Sequence, residues 1–402
     1  MVEYTPIYKI YKKLLNPMLQ TRWKRWAFMT GVIVLLLGSL MLFYTKSVAV
    51  KMLPFDNKNE FQVIIDMPEG TTLENTAAVA REIAGYIARQ EMVTHYQGYV
   101  GTAGPISFNG LVRHYDLRRG NNVADIQVNL VKKSDRKIQS HDIAKQMRPA
   151  IQEIARKFKA NVKVVEVPPG PPVLSTIVAE VYGPDYEQQI ALAGQVKEMI
   201  SSTADVVDID WMVEDEQQEY HFEVDKEKAM RYGIAPAQVV ATMNAALSGQ
   251  PAGLLHTPAS YRQQSIVLQL PDSDKQDMGD LMGIKITGQG GNAVPLGDLV
   301  QVSKGSKAQS IYRKNQKRVV YVLADMAGKL ESPFYAMSKV SDQLKNITLP
   351  AGYSLTESYN QQPEAEDQFS LKWDGEWQIT YEVFRDLGAA FLAAIIIIYM
   401  LI

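Results

Sequence analysis

The stretch FQVIIDMPEGTTLE, Phe61–Glu74, places a short apolar strand, a tight turn and a helix start in direct succession. The strand is Phe61–Asp66, and the turn Pro68–Gly70 follows it at once. Thr71 and Glu74 have the spacing of a capping box, in which a hydroxyl and a carboxylate satisfy reciprocal backbone donors at a helix N-terminus. Apolar residues then recur at helical spacing, which predicts an amphipathic helix after the turn. They are Leu73, Ala77, Ala80, Ile83, Ala84 and Ile87.

The segments after this helix continue the same alternation of strands and helices. Two strands are predicted, around His95–Val100 and through Ile126–Leu130, with a glycine-rich loop between them. A second helix carries apolar residues from Ile143 to Phe158, and Val162–Val167 forms the closing strand. The order β-α-β-β-α-β predicts a ferredoxin-like unit, so the fold class is α+β.

A second unit of the same kind begins after the proline-rich linker Val167–Val173, VPPGPPV. Prolines hold this linker extended, because each proline fixes its own φ and cannot donate to a sheet. The second unit is predicted in two halves, separated by an inserted domain from Glu219 to Ser310. The elements before the insert are Thr176–Tyr182, Tyr186–Ser202 and Val206–Val213, and those after it are Arg318–Met326, a helix opened by Ser332, and Tyr353–Ser358.

The two ends of the chain are apolar. Ala27–Tyr44 carries no charge over 18 residues, which is enough to cross a hydrocarbon core with small adjustments. Lysines and arginines before it place that flank in the cytoplasm, so the segment is predicted to be an uncleaved membrane anchor, and a cleaved signal peptide is the alternative. Leu387–Ile402 is apolar to its last residue and is predicted to be the start of a second spanning helix that is cut off. A buried C-terminal core helix is the alternative there.

The composition excludes several classes of protein. The 402 residues include 42 Lys+Arg and 44 Asp+Glu, so the formal net charge of -2 gives no basic field to bind nucleic acid. The chain has no Cys, which excludes disulfides, Cys-ligated zinc and thiol catalysis. It has no P-loop, no G-x-S-x-G motif and no carboxylate pair that can be placed, so we expect no enzymatic activity and no cofactor.

An anchor, two tandem ferredoxin-like units, an insert in the second and a returning membrane helix together resemble one half of a resistance–nodulation–division (RND) efflux permease. The resemblance rests on an ordered set of short motifs and covers essentially the whole chain. The chain is similar to the C-terminal half of the acriflavine-resistance-like branch, from the seventh membrane helix to the start of the eighth. The motifs are Met52–Asn57, Asp66–Leu73, Val167–Val173, Arg231–Ile234, Val239–Val240 and Leu247–Gly249.

The resemblance implies a proton-driven multidrug antiporter for hydrophobic or amphiphilic compounds. Family members are homotrimers in the bacterial inner membrane, with the large domain in the periplasm, and they work with a periplasmic adaptor (membrane fusion) protein and an outer-membrane channel. The family's proton-relay residues lie on membrane helices that this chain does not contain, so none is expected here. The implied parts are a cytoplasmic interfacial segment (1–26), a transmembrane helix (27–45), porter-like subdomain 1 (54–172), porter-like subdomain 2 (173–218 and 311–362), a docking-like insert (219–310) and the start of a truncated transmembrane helix (387–402).

The glycine-rich loop Gly98–Asn122 is the candidate substrate site, because it occupies the position of the family's switch loop. Aromatic side chains there would give apolar contact without a fixed hydrogen-bond pattern, which suits varied small amphiphiles, and glycines would give mobility. An ordinary long hairpin connection with packed aromatic residues is the alternative. The predicted substrate-binding residues are Tyr99, Phe108, Tyr115 and Met67, and the predicted hinges are Gly98, Gly101, Gly104 and Gly110.

Several charged and sulfur-containing residues allow more than one interpretation. Arg113, Arg118 and Arg119 would favour anionic ligands, but solvated loop charges are the favoured interpretation. The acidic run Asp205–Glu219 is interpreted as a solvated edge. Met67 would be a soft-metal ligand in the family's heavy-metal-exporting branch, and methionine is otherwise a common core residue. No metal site is predicted, and a membrane-anchored periplasmic scaffold or sensor domain is the remaining alternative function.

Overall fold

The computed structural model describes residues 8, 12–13, 15, 20–45, 47–48, 55–167, 172–258, 263–275, 277–328 and 331–401. The chain forms two compact units. One unit combines Met1–Asp215 with Ser310–Ile402, and the other is Glu216–Gln309. Most of the interfacial segment 1–26, the first half of the predicted Met52–Asn57 motif and the centre of the proline-rich linker lie outside the described residues.

The first repeat is an antiparallel sheet of four strands with two helices packed on one face. Its elements follow helix α1 (Arg22–Tyr44) in the order β1 (Glu60–Asp66), α2 (Leu73–Ile87), β2 (Val93–Thr102), α3 (Phe108–Arg113), β3 (Arg119–Leu130), α4 (Ser140–Lys157) and β4 (Asn161–Glu166). The short α3 belongs to the connection between β2 and β3. The strands lie in the order β2-β3-β1-β4, and the predicted ferredoxin-like α+β fold is confirmed.

Alternation along the central strand makes one face of this sheet apolar. Phe61, Val63 and Ile65 of β1 are fully buried and pack against the helices. Successive side chains of a strand point to opposite faces, so Gln62 and Asp66 point away from the helices. Gln62 is nevertheless buried, so this polar face is covered too.

Helix α2 is capped one residue later than the sequence predicts. Thr72 is the N-cap residue, and its hydroxyl accepts a hydrogen bond from the backbone N–H of Asn75. The Thr71 hydroxyl instead donates to the carbonyl oxygen of Pro68, at 2.6 Å. The predicted capping box is therefore wrong by one position, because the preceding turn takes up the first hydroxyl.

The first half of the second repeat leads into the second compact unit. This half is β5 (Ile177–Tyr182), α5 (Tyr186–Ser201) and β6 (Val206–Trp211). The elements of the second unit are β7 (Gln218–Val224), α6 (Lys226–Arg231), α7 (Pro236–Leu247), β8 (Gln250–Leu255), β9 (Gln264–Leu268), α8 (Asp272–Lys275), α9 (Met278–Met282), β10 (Lys285–Thr287), β11 (Ala293–Pro295), α10 (Leu296–Leu299) and β12 (Val300–Ser306). The strands pair as β7 with β12, β8 with β9 and β10 with β11. The insert is predicted at 219–310, and the compact unit is Glu216–Gln309.

The chain then returns and completes the second repeat. The returning elements are β13 (Arg313–Lys314), β14 (Lys317–Arg318), β15 (Val320–Met326), α11 (Pro333–Leu344), β16 (Leu355–Ser358), β17 (Phe369–Gly375) and α12 (Glu376–Leu401). The sheet order is β16-β17-β5-β15-β6, with β16 parallel to β17. β17 therefore lies beside β5 and closes the ferredoxin-like order, whereas the sequence analysis ended the unit with the strand Tyr353–Ser358 and placed its boundary at residue 362.

The residues of β17 alternate as those of a half-apolar strand should. Phe369, Leu371 and Trp373 are fully buried in the same core as residues of α5 and α11. Lys372 and Asp374 alternate with them and point to the opposite face. The alternation is visible in the sequence, but the polar stretch 359–368 separates it from β16.

Lys314 of β13 ties the returning chain to the second repeat. Its ammonium group contacts Glu180 of β5 and lies 2.6 Å from a carboxylate oxygen of Asp374. Lys372 approaches the same two carboxylates. Glu180 is fully buried, so these two cations offset a negative charge that is held away from water.

Two helices among the described residues, Arg22–Leu42 and Glu376–Leu401, are long and apolar enough to cross a membrane. The apolar window of each helix is entirely unburied within the structure. The second of them, α12, begins at Glu376, directly after β17, whereas the sequence analysis started its apolar part at Leu387. Strand and helix are thus joined without a flexible linker.

Gly375 makes this junction, and its replacement tests how tightly the junction is packed. Its φ is 76°, and an added Cβ would lie 2.7 Å from the carbonyl oxygen of Ser175. We expect Gly375→Ala to lower the free energy of unfolding by about 3 kcal/mol, because left-handed strain and overpacking act together. Denaturant unfolding of the whole chain, followed by tryptophan fluorescence, measures the loss.

Gly352→Ala is the matched control for this prediction. Its φ is 91°, but nothing lies within 4 Å of an added Cβ, so strain acts there without a clash. We expect a loss of about 1 kcal/mol. Equal losses in the two variants would show that the junction has room for a side chain.

Candidate functional site

The predicted loop Gly98–Asn122 is shorter and more structured than the sequence suggests. Strands β2 and β3 extend into it, so the true connection is residues 103–118, which we call the connecting segment. It contains α3, whose N-cap residue Ser107 accepts a hydrogen bond from the backbone N–H of Gly110 at 3.1 Å. A single 3-10 turn follows α3 and leads back to the sheet.

The four predicted hinge glycines lie in different settings. Gly98 is paired inside the β2–β3 ladder. Gly101 lies at a shift in the register of that ladder with a φ of 79°, and an added Cβ would lie 2.8 Å from a side chain of α2. The backbone N–H of Gly104 donates to Asp125 at 2.8 Å, and Gly110 lies inside α3. Two of the four thus belong to a strand, and hinge motion at these glycines stays a prediction.

Arg118 fixes the end of the connecting segment to the first repeat. Its guanidinium contacts the carboxylates of Asp66 and Asp125 and donates to the carbonyl oxygen of Ile65 at 2.8 Å. Burial alone would raise the pKa of Asp66, but the charges of Lys163 and Arg118 outweigh burial and lower that pKa to about 2. The interpretation of Arg118 as a solvated loop charge is therefore wrong.

Arg113 fixes the middle of the connecting segment to the second repeat. Its Nη1 donates to Asp325 of β15 at 2.7 Å, and its side chain is only 6% exposed. Asp325 also accepts from the Ser175 hydroxyl at 2.7 Å and from the Thr176 backbone N–H at 2.9 Å. Burial would raise the pKa of Asp325, but the neighbouring Arg113 charge outweighs burial and holds it well below its usual range. Arg113 is not a solvated charge either, whereas Arg119 is exposed.

Around these two anchors the connecting segment exposes apolar side chains, which we call the apolar row. Their exposure is important, because covering apolar surface that lies in water with an apolar partner lowers the free energy. The row is therefore a surface for apolar contact. Its members are Ile106 (77% exposed), Phe108 (48%), Leu111 (57%) and Leu117 (72%).

The four predicted substrate-binding residues lie at different depths. Phe108 belongs to the apolar row, and Tyr99 is half-buried on β2. Tyr115 is half-buried, and burial raises the pKa of its phenol, so the phenol stays protonated at neutral pH. Met67 lies in the hydrophobic core on the helix side of the first repeat and is not part of the apolar row. In the described part of the chain, no group of three or more His, Cys, Asp or Glu side chains is placed to hold a metal ion.

A bulge in β6 brings two acidic residues against the edge strand β4. Asp208 has a φ of 53°, which is uncommon for a residue other than glycine, at the point where β6 shifts register against β15. Its carboxylate accepts from the backbone N–H of Val164 at 3.1 Å and contacts Arg148 of α4. Asp210 contacts Lys163 of β4. These contacts give the edge strand partners that a sheet edge otherwise lacks.

The acidic run Asp205–Glu219 is therefore not a solvated edge throughout. The side chain of Asp208 is 2% exposed, and Asp210 pairs with a buried lysine. Burial would lower the pKa of Lys163, but Asp66 and Asp210 outweigh burial and raise it, so this lysine stays charged. The predicted solvation is wrong for these residues because the sequence does not show that the first repeat lies against them.

Sequence reasoning missed the charged residues that join the two repeats. The available signal is a charge between apolar residues of a strand, as with Lys163 in NVKVVE and Asp325 in VYVLADM. Such a charge is buried only with a partner, so the pattern predicts an ion pair. The partner cannot be read from spacing, since Arg113 and Asp325 are 212 positions apart.

Comparison with known proteins identifies the family. The sequence profile of the AcrB/AcrD/AcrF family matches residues 4–373, which is most of the chain. The chain belongs to this family of RND efflux permeases. The resemblance that the ordered motifs predicted is confirmed.

Relatives of this AcrB/AcrD/AcrF-family chain differ in what they are named for. The chain is 26% identical over 187 residues to the nickel and cobalt resistance protein CnrA of Cupriavidus metallidurans, covering 45% of this chain and 17% of that protein. It is 22% identical over 407 residues to the swarming motility protein SwrC of Bacillus subtilis, covering 98% of this chain and 34% of that protein. Crystal form I of a heavy metal efflux pump has a similar fold, with a TM-score of 0.68 and 17% identity over 97% of this chain and 38% of that one. The chain thus spans less than two fifths of the length of these relatives.

Asp325→Asn tests whether the anchor of the connecting segment is electrostatic. The variant leaves Arg113 charged and buried, so we expect the free energy of unfolding to fall by about 3 kcal/mol at neutral pH. Because the pKa of Asp325 is depressed, its stabilisation is complete above the ordinary pKa of 3.8 and is lost as the pH falls below that value. Denaturant titrations should therefore show a difference in the free energy of unfolding between wild type and variant, and this difference should become smaller in acid.

Asp342→Asn is the control for this anchor, because the ion pair of Asp342 with Lys345 is exposed. We expect it to leave the unfolding midpoint unchanged at both pH values. If wild type and Asp325→Asn differ in the free energy of unfolding by the same amount in acid as at neutral pH, the anchor is not electrostatic.

Proposed function

We propose that the chain is part of a proton-driven multidrug efflux permease that exports hydrophobic or amphiphilic compounds, and that it acts in transport and not in catalysis. The observation that supports this substrate class is the apolar row of the connecting segment. Apolar and aromatic side chains contact many molecules without demanding one pattern of hydrogen bonds. Phe108 is the aromatic member of the row and is therefore our principal substrate-contact residue.

The two arginine anchors suggest how the apolar row would take part in transport. Arg118 holds the connecting segment to the first repeat, and Arg113 holds it to the second. A change in the relative position of the repeats must therefore shift α3 or break the Arg113–Asp325 pair. In this proposal the connecting segment converts movement of the repeats into a change in access to the apolar row.

The two apolar helices support a place in the bacterial inner membrane. Arg22–Leu42 begins in a lysine- and arginine-rich flank, which would stay in the cytoplasm, and Glu376–Leu401 would re-enter the same membrane. Both repeats and the second unit would then lie in the periplasm. Proton coupling would be supplied by other parts of the complete permease.

The second unit supports an assembly with other proteins, which we propose to be a homotrimer with a periplasmic adaptor and an outer-membrane channel. The β8–β9 hairpin of this unit exposes apolar side chains on both of its strands. Contiguous exposed apolar surface is typical of sites that bind other proteins. The exposed residues are Leu254, Leu255, Ile266, Val267 and Leu268.

Metal export is the second candidate function, because CnrA is named for nickel and cobalt resistance and the structural neighbour is a heavy metal efflux pump. A metal ion would then be the substrate, and soft ions would favour methionine thioethers. Met67 is buried in the core of the first repeat, so its thioether would have to leave that core to reach an ion. We therefore favour amphiphilic substrates, which the apolar row can contact as it stands.

Replacement of Phe108 in the complete permease tests the substrate class. Phe108→Ala removes an apolar contact worth about 1 kcal/mol, so we expect the apparent KM for a hydrophobic dye to rise about fivefold. Efflux of the dye from cells that produce equal amounts of permease is the measurement. Tyr96→Ala is the matched control, since Tyr96 is a similarly exposed aromatic residue of the same repeat outside the connecting segment.

Resistance to nickel, cobalt and silver salts is the opposing measurement. Metal export replaces our proposal if Phe108→Ala leaves dye efflux unchanged while Met67→Ala abolishes resistance to these salts. A complete permease that exports neither dye nor metal would instead support a scaffold or sensor.

A further inference from the structure

His141 bridges one carboxylate from each repeat. Its Nδ1 lies 2.8 Å from Oε1 of Glu166, at the end of β4 in the first repeat. Its Nε2 lies 2.8 Å from Oε1 of Glu331, just before α11 in the second repeat. Lys145, one turn further along α4, contacts the same Glu331 oxygen and donates to the carbonyl oxygen of Gly328 at 2.7 Å.

The two contacts of the ring indicate its protonation state. A neutral imidazole carries one N–H, so it donates to one carboxylate and presents a lone pair to the other. A lone pair at 2.8 Å from a carboxylate oxygen is repulsive, whereas an imidazolium donates to both carboxylates. The geometry is therefore that of the protonated ring, and loss of the proton removes one of the two hydrogen bonds.

Among the residues that the structure describes, the surroundings of the ring do not compensate for a lost proton. The His141 side chain is 10% exposed, and the ring of Phe55 stacks on it with centroids 4.3 Å apart and planes at 12°. The exposed Asp56–Lys58 pair that follows Phe55 is neutral as a whole. On α4, Asp142 is exposed and Lys145 is already engaged with the second repeat. Protonated, the cluster holds two cations against two carboxylates, and without the proton it has an excess negative charge.

The pKa of His141 agrees with this geometry. Burial lowers the pKa, but the hydrogen bonds and charges of Glu166 and Glu331 outweigh burial, so the pKa lies above its ordinary value of 6.5. A raised pKa means that the bridge stabilises fully below the ordinary pKa and loses this effect as the pH rises through the pKa in the folded protein. The change is therefore expected from neutral pH upward, and acid strengthens the bridge.

We propose that His141 is a proton-operated latch between the two repeats. While the ring is protonated, it holds Glu166 of the first repeat and Glu331 of the second. When the ring loses its proton, one of these contacts is lost and the repeats separate more easily at this place, where the Lys145 contacts remain. The Arg113–Asp325 pair keeps its charges over the same pH range. Deprotonation of His141 therefore weakens the latch and leaves the anchor of the connecting segment in place.

The latch also contacts the segment that follows α1. The backbone N–H of Lys58 donates to the Ser140 hydroxyl at 3.0 Å, and the backbone N–H of Ser140 donates to the Asn57 side chain at 3.1 Å. Phe55, on the same segment, stacks on the imidazole. A change at His141 therefore acts on the chain between α1 and β1, and it does so whichever substrate the permease exports.

Pulsed electron paramagnetic resonance on the whole chain in detergent tests the latch. The chain has no Cys, so spin labels can be attached at Gln146→Cys on α4 and Lys339→Cys on α11, both exposed positions. We expect a narrow distribution of distances at mildly acid pH that shifts to longer distances as the pH is raised into the alkaline range. A distribution that stays the same over this range would overturn the proposal.

Two variants distinguish a latch from a passive contact. The glutamine of His141→Gln donates to one carboxylate at every pH. The distances between the two spin labels should therefore have, at every pH, the distribution that the parent shows in alkali. Glu331→Gln is nearly isosteric, and its amide donates to the unprotonated Nε2, so the pair should keep the acid distribution throughout. If Glu331→Gln opens with pH as the parent does, the proton on His141 is not the switch.

A direct titration needs no change in the distance between the repeats. The histidine Cε1 resonances of the whole chain without spin labels are followed by NMR. The signal that is missing in His141→Gln is the resonance of His141. We expect the midpoint of the His141 resonance to lie above the ordinary pKa of 6.5. A midpoint at or below that value would contradict the bridge.

Discussion

Charges that are buried between the two repeats must have partners, and this requirement determines how the two repeats pack against each other. A buried charge that loses its partner costs several kcal/mol, roughly 3 to 5, so a strand that carries Lys163 or Asp325 cannot pack as a purely apolar strand would. Both residues point away from the helices of their own repeat and are buried. Lys163 meets Asp210, and Asp325 meets Arg113. Each ferredoxin-like repeat has its own apolar core, and ion pairs join the two repeats to each other.

The same pairing prepares the connecting segment for contact with apolar molecules. A free glycine-rich loop would lose conformational entropy each time it ordered around a ligand. Here Arg113 and Arg118 order the segment on folding, so the apolar row is held in place before any ligand arrives. The His141 bridge differs in kind, because it depends on a proton that the imidazole loses as the pH rises through its raised pKa. The contacts between the repeats thus combine ion pairs that keep their charges with one bridge that depends on a proton.

Family membership explains the architecture, while the substrate class has to be argued from the surface. A metal-resistance protein and a motility protein both match this chain, so one fold and one family serve cells in different ways. In this chain most of the exposed side chains of the connecting segment are apolar, and the thioether of Met67 is enclosed in a core. The chemistry of those positions is therefore the reason why we propose amphiphilic substrates rather than metal ions.

The sequence by itself determined the local elements, their repetition and the two apolar ends. Alternation in Phe61–Asp66 and helical spacing from Leu73 to Ile87 arise from the geometry of strands and helices, so they are readable without a structure. Only the tertiary structure decided which charges are buried. Arg118 is paired with two carboxylates while the adjacent Arg119 is exposed. The residue type is the same for both, and the difference is that only Arg118 lies against Asp66 of β1 and Asp125 of β3, a placement that the folded sheet decides.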